Sequence, residues 1–324
     1  MIYNTDLEEL IFHRHEHFPS DELIILSGYV GPNPIDRLRE LDFPKRVIYG
    51  MYGSDGIKEV LHTSLIRLND QVPDISIFYS NLPVHSKCYI WKNHGEIINA
   101  LIGSANFSDN GLRTPYREIL AETNRDSFRP LDQYITQVLN NCIDCREGVV
   151  RRGPAIPIIP EDIAVCNMTL LDPRTNEVQN ANGLNWGQNP LNHTNRSDAN
   201  IPIRADYIRR YPTLFPPKHR GILLADAAGR IQRHNDSIEI IWDDGVTMRG
   251  LLEGNVIIDN ILYPKQIASF PEKRILGEYI RERIGVPNGA RVTRRHLEQY
   301  GKTFIEVSLL GEGVYFFDFS VQAP

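Results

Sequence analysis

A proline-rich segment divides the 324-residue chain into two halves with different patterns. Residues 151–162 read Arg-Arg-Gly-Pro-Ala-Ile-Pro-Ile-Ile-Pro-Glu-Asp, and three prolines within seven residues stop helices and favour extended backbone. A chain of this length also favours two domains. We therefore predict one domain at residues 1–155 and a second at residues 156–324.

The first half alternates strand and helix patterns, which is typical of an α/β layer structure. Short apolar runs predict the strands, and apolar residues at helical spacing predict the helices. The predicted strands are residues 22–30, 45–53 and 75–79, and the predicted helices are residues 35–41, 57–68 and 129–142.

The second half has many short strand patterns separated by turn signals, which indicate a β barrel or pseudobarrel. The predicted strands are residues 163–171, 238–242, 255–259, 304–310 and 314–319, and the predicted helices are residues 205–211, 273–284 and 293–297.

Two short stretches in the first half carry the clearest chemistry. His85 and Lys87 are two residues apart, so on a strand their side chains point the same way. A titrating base beside a fixed positive charge is a poor structural pair, but it suits an anion lying between the two. The stretch Gly103-Ser104-Ala105-Asn106 adds a glycine that lets backbone approach a ligand, and two donors for phosphate oxygens. Together they predict a phosphodiesterase active site.

This pattern resembles the phospholipase D superfamily, which includes nucleases, lipases and phosphatidyl synthases. The usual motif has an Asp a few residues after the Lys, and no Asp stands there in this chain. Some metal-independent restriction nucleases of the superfamily carry a later Glu instead. Glu118 fits that role by its spacing after Asn106, with Glu122 as second choice. The implied catalytic residues are His85, Lys87, Ser104, Asn106 and Glu118.

The second half resembles the C-terminal B3-like DNA-binding domain of NgoFVII-type restriction endonucleases. The shared features are Gly-Leu-Asn-Trp-Gly-Gln at 183–188, Ile-Pro-Ile at 201–203, Asp-Asp-Gly at 243–245, Leu276-Gly277-x-Tyr279-Ile280, and Tyr-Phe-Phe-Asp-Phe at 315–319. The resemblance implies a prokaryotic restriction enzyme that works with a separate ATPase/helicase-like subunit. This chain has no Gly-x-x-x-x-Gly-Lys-Ser/Thr motif, so any use of ATP and Mg²⁺ would belong to that partner. We expect no cofactor and no metal in this chain.

Residues 182–203 form the stretch that we expect to read double-stranded DNA. Asn and Gln can pair with adenine and Arg with guanine, and Arg249 would supply a second arm after the Asp-Asp-Gly turn. Lys and Arg minus Asp and Glu gives 16 − 23 = −7 for residues 1–162 and 19 − 18 = +1 for residues 163–324, which favours DNA attraction by the second half. The candidate contacts are Gln188, Asn192, His193, Asn195, Arg196, Asn200, Arg204 and Arg249.

The resemblance also implies a mechanism. A phospholipase D site uses two His-x-Lys motifs and this chain has one, so we predict a homodimer with one composite site on its twofold axis. His85 of one subunit would form a phosphohistidine, and His85 of the other would protonate the leaving oxygen and then activate water. Glu118 would orient the imidazole. The expected activity is that of a type II-like, metal-independent restriction endonuclease.

Other interpretations stay open. Pro73-Asp74 upstream of His85-x-Lys87 looks like a metal-dependent Pro-Asp…(Asp/Glu)-x-Lys nuclease that lacks its second acid. A B3-like DNA-binding regulator with an inactive first domain is a non-enzymatic alternative, and a lipid-processing enzyme is possible by superfamily alone. Sensitivity to EDTA separates the first of these from the metal-free site.

Smaller signals concern metals and location. His13, His15 and His17 alternate near the N-terminus, where a solvated face is favoured over a metal site, and Cys142-x-x-Cys145 has no clear second pair for zinc. Four cysteines fit a reducing compartment, and the N-terminus shows no basic region and no apolar signal core. We therefore expect a cytoplasmic protein with no membrane association.

Overall fold

The computed structural model describes residues 1–152, 165–191, 194–218 and 235–321. The predicted boundary between residues 155 and 156 lies outside these ranges, as do Asn192 and His193. Within the described residues the chain forms two compact units. The first contains residues 1–152 together with the short segment Leu310–Gly313, and the second contains the other described residues.

The first unit is built on an eight-stranded mixed sheet in the order β1-β8-β7-β6-β2-β3-β5-β9. The central strands β2, β3 and β5 run parallel, β6 pairs antiparallel with β2, and β7 pairs antiparallel with β6. The strands are β1 (Ile2–Tyr3), β2 (Glu22–Ser27), β3 (Lys45–Tyr49), β4 (Gly56–Ile57), β5 (Ile75–Ser80), β6 (Lys87–Asn93), β7 (Glu96–Gly103), β8 (Leu120–Glu122), β9 (Cys142–Asp144) and β10 (Arg151–Arg152). The small strands β4 and β10 pair with each other.

The helices of this unit alternate with its strands along the chain, which confirms the predicted α/β architecture. They are α1 (Leu7–Phe12), α2 (Arg14–His17), α3 (Pro32–Arg37), α4 (Tyr52–Asp55), α5 (Glu59–Gln71), α6 (Asp109–Arg113) and α7 (Phe128–Leu139). Short 3-10 helices lie at Leu38–Glu40, Arg125–Ser127 and Cys145–Glu147. Helix α3 starts before the predicted residue 35 because a proline suits the first helical position, where no N–H is needed.

One predicted feature of the sheet needs correction. His85 was expected on the same strand as Lys87, but β6 begins at Lys87 and His85 lies in the preceding loop. The reason is that β2 ends at Ser27, so its last pair with β6 is Leu26 with Cys88 and nothing extends the ladder to His85. The imidazole is therefore placed by a loop at the edge of the sheet.

The second unit contains a seven-stranded, mostly antiparallel sheet in the order β11-β18-β19-β13-β14-β17-β12, and a separate hairpin of β15 and β16. This agrees with the predicted β-rich, B3-like architecture. The strands are β11 (Cys166–Thr169), β12 (Ile201–Pro202), β13 (Asp236–Trp242), β14 (Thr247–Glu253), β15 (Val256–Ile258), β16 (Ile261–Tyr263), β17 (Gln266–Ser269), β18 (Phe304–Gly311) and β19 (Val314–Asp318).

Helices α8 (Ala205–Arg210), α9 (Arg274–Arg283) and α10 (Arg294–Tyr300) belong to the second unit, with a 3-10 helix at Gly183–Gln188. Its apolar core includes the buried side chains of Trp242, Leu276 and Phe317. Within the described ranges, no helix has the length and apolar character that crossing a membrane requires.

Candidate functional site

His85 and Lys87 lie together at one edge of the first sheet. The Nζ atom of Lys87 is 3.0 Å from Nδ1 and 3.1 Å from Nε2 of His85, and it donates to the His85 backbone oxygen at 2.7 Å. Lys87 is only 5% exposed, whereas His85 is exposed. Burial lowers the pKa of Lys87, against the opposing effect of the carboxylates of Glu312 and Glu118. The ammonium is thus held inside while the imidazole faces solvent.

Asn106 joins this pair from the loop that follows β7. Its Oδ1 accepts hydrogen bonds from the backbone N–H of Tyr29 at 3.2 Å and from the Ser27 hydroxyl at 3.4 Å. These bonds fix which end of the amide is the donor, and its Nδ2 donates to a carboxylate oxygen of Glu312 at 3.2 Å. The Asn106 side chain is therefore a buried donor aimed at an anion.

Glu312 belongs to the segment Leu310–Gly313, which is grouped with the first unit. Its second carboxylate oxygen accepts a hydrogen bond of 2.7 Å from Nη2 of Arg117. One carboxylate is thus held by an amide donor and a guanidinium beside Lys87. A carboxylate and a phosphate diester present similar anionic oxygens, so these donors have the chemistry to bind a phosphate.

Ser104 and Glu118 lie on either side of the β7–β8 connection. The Ser104 hydroxyl oxygen accepts from the backbone N–H of Ile119 at 3.1 Å, and Ser104 is exposed. Glu118 forms an ion pair with its neighbour Arg117 at 3.6 Å and acts electrostatically on Lys87. Across the described ranges, the structure shows no hydrogen bond between Glu118 and His85. The predicted orienting contact is therefore not formed within this chain.

Glu122, the second choice for the acidic residue, has a structural partner. Its Oε1 is 2.7 Å from the Arg14 guanidinium and accepts a hydrogen bond of 2.8 Å from Asn99. Burial alone would raise the pKa of Glu122, but these two hydrogen bonds lower it overall. The Glu122 carboxylate therefore stabilises the fold through Arg14 and Asn99.

The turn that follows β2 forms one wall of the site, and the sequence reasoning did not include it. A Cβ added to Gly28 would lie 2.9 Å from Cδ2 of His85, so a larger residue would displace the imidazole, whereas its distance of 3.4 Å from Nζ of Lys87 is an ordinary contact. The Tyr29 ring stands edge-on to the His85 ring, with 5.8 Å between centroids and 76° between planes. The one available signal was the glycine at the end of a buried strand.

The predicted DNA contacts of the second unit fall into two groups. Gln188 and Asn195 hold their own loop: Nε2 of Gln188 donates to the backbone oxygens of Arg196 at 2.8 Å and Gly289 at 2.9 Å, and Oδ1 of Asn195 accepts from the Ser197 N–H at 2.8 Å. Asn200 is 1% exposed, and within the described part of the chain neither of its amide atoms has a hydrogen-bond partner.

The arginines differ from one another. Arg196 is exposed at the end of the loop, and Arg249 is half-buried on β14. The Arg204 guanidinium donates to the Leu171 backbone oxygen at 2.5 Å and lies over the Tyr207 ring, 5.7 Å from its centroid. The predicted residues Asn192 and His193 are outside the described ranges. Among the described candidates, Asn195 and Arg196 are exposed, and the Asn195 side-chain oxygen is already bonded to its own loop.

Comparison with known protein families decides the assignment. A model of the NgoFVII restriction endonuclease N-terminal PLD domain matches residues 5–152, and a model of the NgoFVII C-terminal B3-like DNA-binding domain matches residues 161–310. This chain belongs to the NgoFVII restriction endonuclease family. As a member of that family it combines a phospholipase D-like DNA hydrolase domain with a B3-like domain whose partner is DNA.

Solved structures show more distant similarity to this NgoFVII-family chain. NucT from Helicobacter pylori is 17% identical over 44% of this chain and 97% of its own, with a TM-score of 0.30. A polyphosphate kinase from Porphyromonas gingivalis is 12% identical over 44% of this chain and 23% of its own, with a TM-score of 0.32. No curated protein matches the chain. The family assignment therefore depends on the two family models.

The geometry of this NgoFVII-family chain bears on the metal-dependent alternative. Asp74 precedes β5, and its backbone oxygen accepts from the Lys45 N–H at 2.8 Å, at the start of β3. Lys87 lies at the opposite end of the central strands, at the level of Ser27, the last residue of β2. From the register of β3 and β5, five residues along the strand separate the two positions, or about 17 Å. Asp74 and the His-x-Lys pair therefore do not share one site.

Other candidate metal ligands are also accounted for. Among the described residues, no group of three or more His, Cys, Asp or Glu side chains is close enough to hold a metal ion. His13 is paired with Glu16 at 2.7 Å and Glu9 at 3.1 Å, and these bonds raise its pKa. Burial raises the pKa of the Cys142 thiol to about 11 and of the Cys145 thiol to about 12, so both remain protonated.

Proposed function

We propose that this protein is the nuclease subunit of a restriction system, and that it hydrolyses DNA phosphodiester bonds without metal through a phosphohistidine intermediate. The observation that carries the proposal is the grouping of exposed His85, buried Lys87 and the Nδ2 donor of Asn106 at one sheet edge. This grouping contains a nucleophile, a fixed cation and a neutral donor, which are three of the parts that a metal-free phosphodiesterase requires.

The reaction begins with attack of a neutral His85 nitrogen on phosphorus. Lys87 and Asn106 bind the non-bridging oxygens and offset the charge that develops on them. The P–N bond forms as the bond from phosphorus to the 3′ or 5′ oxygen breaks, and water later cleaves the P–N bond.

A second histidine is needed to protonate the leaving oxygen and to activate that water. This chain contains one His-x-Lys motif of this kind, so we propose that a second copy supplies the other His85 in a homodimer. Glu118, which has no hydrogen bond to His85 in its own chain, would orient the imidazole across that interface.

The B3-like half would deliver a specific double-stranded DNA sequence to this site. We propose that Arg196, Arg204 and Arg249 contribute contacts, together with Asn192 and His193. We also propose a separate ATPase/helicase-like subunit as a partner that would use any ATP and Mg²⁺. In this arrangement the enzyme is a type II-like endonuclease whose cutting depends on substrate delivery.

The deciding experiment is plasmid cleavage in excess EDTA by the wild type and by His85→Ala. His13→Ala is the matched control, because His13 is exposed in the same unit and paired only with surface carboxylates. Samples are quenched in acid and examined for DNA linked covalently to protein. We expect cleavage that survives EDTA, disappears in His85→Ala and persists in His13→Ala.

The partner requires its own arm of the experiment. The ATPase subunit is assayed alone for cutting that resists EDTA, and reactions that use ATP receive Mg²⁺ separately because EDTA would silence them. Cleavage that requires metal and ignores His85 would overturn the proposal. Sequence-specific binding with no cleavage under any of these conditions would favour the B3-like regulator.

A further inference from the structure

The structure assigns a positioning role to Tyr29: we propose that its ring, held in place by Asp55, orients the imidazole of His85. This inference rests on the proposed nuclease function and concerns the same site. The family resemblance places an acid, Glu118, in the orienting role, but in this chain the aromatic contact on His85 comes from Tyr29.

The Tyr29 side chain is fixed at its tip. Its hydroxyl donates to Oδ2 of Asp55 at 2.5 Å, and Oδ1 of the same carboxylate accepts from the Ser54 hydroxyl at 2.5 Å. Asp55 lies at the end of helix α4, where its backbone N–H bonds to the Met51 oxygen at 2.8 Å. Because both oxygens of the Asp55 carboxylate accept hydrogen bonds, the position of the Tyr29 hydroxyl is fixed.

The Tyr29 backbone is fixed as well. Its carbonyl oxygen accepts from the Ser27 hydroxyl at 2.5 Å, and its N–H donates to Oδ1 of Asn106 at 3.2 Å. The preceding Gly28 oxygen accepts from the Met51 N–H at 3.1 Å. Tyr29 therefore holds the Asn106 donor through its backbone and the His85 ring through its side chain.

The Tyr29 contact restrains the His85 ring, which burial does not restrain. His85 is exposed and sits in a loop before β6, so neither the sheet ladder nor a packed core restricts its ring. Lys87 touches both ring nitrogens and cannot by itself select one of them for attack. An aromatic edge at 76° to the imidazole limits its rotation, and misplacement of a reacting group by about 1 Å costs on the order of 100-fold in rate.

The test compares graded variants in cleavage of bis(p-nitrophenyl) phosphate by the full-length protein. Tyr29→Phe keeps the ring and loses the bond to Asp55, whereas Tyr29→Ala loses both. We expect kcat to fall about 10-fold in Tyr29→Phe and about 100-fold in Tyr29→Ala, with KM within about twofold of the wild type. Asp55→Asn, which still accepts a hydrogen bond, should retain more activity than Asp55→Ala.

Tyr49→Phe is the matched control. Tyr49 packs on Tyr29 at 6.2 Å between centroids and donates to the Gly56 oxygen at 3.2 Å, but the described contacts of His85 do not include it. We expect Tyr49→Phe to keep the wild-type kcat. An equal loss in Tyr49→Phe and Tyr29→Phe would mean that general packing, rather than orientation, is responsible, and would overturn the proposal.

A second measurement does not depend on activity. Histidines are labelled with ¹³C at Cε1, and the His85 signal is identified by its loss in His85→Ala. A ring fixed beside Tyr29 feels its ring current, so the His85 signal should shift in Tyr29→Ala and stay in place in Tyr49→Phe. A His85 signal that stays in place in Tyr29→Ala would overturn the assignment. Absence of any phosphodiesterase activity together with the expected shift would contradict the proposed function and leave the contact established.

Discussion

Two regions use similar side chains for different purposes. One is the catalytic edge of the first unit, which contains His85, Lys87 and Asn106, and the other is the polar loop of the second unit, which contains Gln188, Asn195 and Arg196. At the catalytic edge, Oδ1 of Asn106 is held by the chain and Nδ2 faces an anion. In the loop, Nε2 of Gln188 donates hydrogen bonds to backbone oxygens of its own unit. Amide side chains bind backbone as readily as ligand, so their presence in a loop does not identify a ligand contact.

The two regions also differ in what surrounds them. Lys87 and Asn106 are both at least nine-tenths buried, so the few groups that contact their polar ends must supply all of their hydrogen bonds. Arg196 is exposed, and a guanidinium in water needs no protein partner. Burial therefore makes a polar residue informative, and the catalytic edge can be tested more sharply than the loop.

The largest effect should come from Lys87→Met. Loss of the buried ammonium removes the charge that stabilises the non-bridging oxygens, and we expect plasmid cleavage to fall about 1,000-fold. Lys92→Met is the control, because Lys92 lies on the same strand but outside the site. Its Nζ forms an ion pair with Oδ1 of Asp132, 2.6 Å away. Equal losses in the two variants, with unchanged melting temperatures, would remove Lys87 from the catalytic set.

The second largest effect concerns the loop. Arg281 is 1% exposed and donates to four backbone oxygens, those of Leu184, Ser197, Gly277 and Ala290, at 2.8–3.0 Å. Arg281→Met removes this buried donor from all four oxygens, and we expect the free energy of unfolding to fall by about 3 kcal/mol. Urea unfolding measures this, with exposed Arg295→Met as the control. A loss below about 1 kcal/mol would show that the loop does not depend on this clamp.

A third prediction separates the loop residues that bind DNA from those that hold the loop. Arg196→Ala should weaken DNA binding about 10-fold and lower the slope of log affinity against log salt by about 1. Gln188→Ala should instead lower the free energy of unfolding by about 1 kcal/mol. Fluorescence anisotropy with labelled duplex at several salt concentrations, and urea unfolding, distinguish them. A salt slope unchanged in Arg196→Ala would place Arg196 away from phosphates.

A smaller effect is expected for Glu312→Gln. The Glu312 carboxylate accepts hydrogen bonds from Asn106 and Arg117, two donors that a phosphate would also need. Removing its charge should lower KM for DNA cleavage about fivefold, equivalent to ~1 kcal/mol. Glu306→Gln is the control, because Glu306 lies on β18 and pairs with Lys302 at 3.2 Å. A higher KM in Glu312→Gln would mean that this carboxylate assists the reaction.

The smallest effect is a pH dependence at Glu122. Its pKa is lowered in the folded protein, so its contribution to stability is present above its ordinary value near 4.5 and is lost as pH falls through the lower folded value. Glu122→Gln should therefore be less stable than the wild type at pH 6, and the difference should shrink below pH 4. Thermal unfolding across this range measures it, and a difference independent of pH would contradict the ion pair with Arg14.

Much of the fold could be predicted because the signals are local. The apolar run of β2 and the helical spacing of α5 each lie within about a dozen residues, and the structure has a strand and a helix there with ends shifted by two or three residues. The end of β2 was placed three residues too far along, because the register with β6 that ends it is a property of two strands.

The sequence by itself determined the two-part architecture and the chemical content of the site, since His85, Lys87 and Asn106 follow from short motifs. Only the tertiary structure decided what surrounds them. The bond from Tyr29 to Asn106 joins residues 77 positions apart, and the bond from Glu312 to Asn106 joins residues 206 apart. Local patterns carry no information about such pairs, because they are formed by the packing of strands and turns whose order in space differs from their order along the chain.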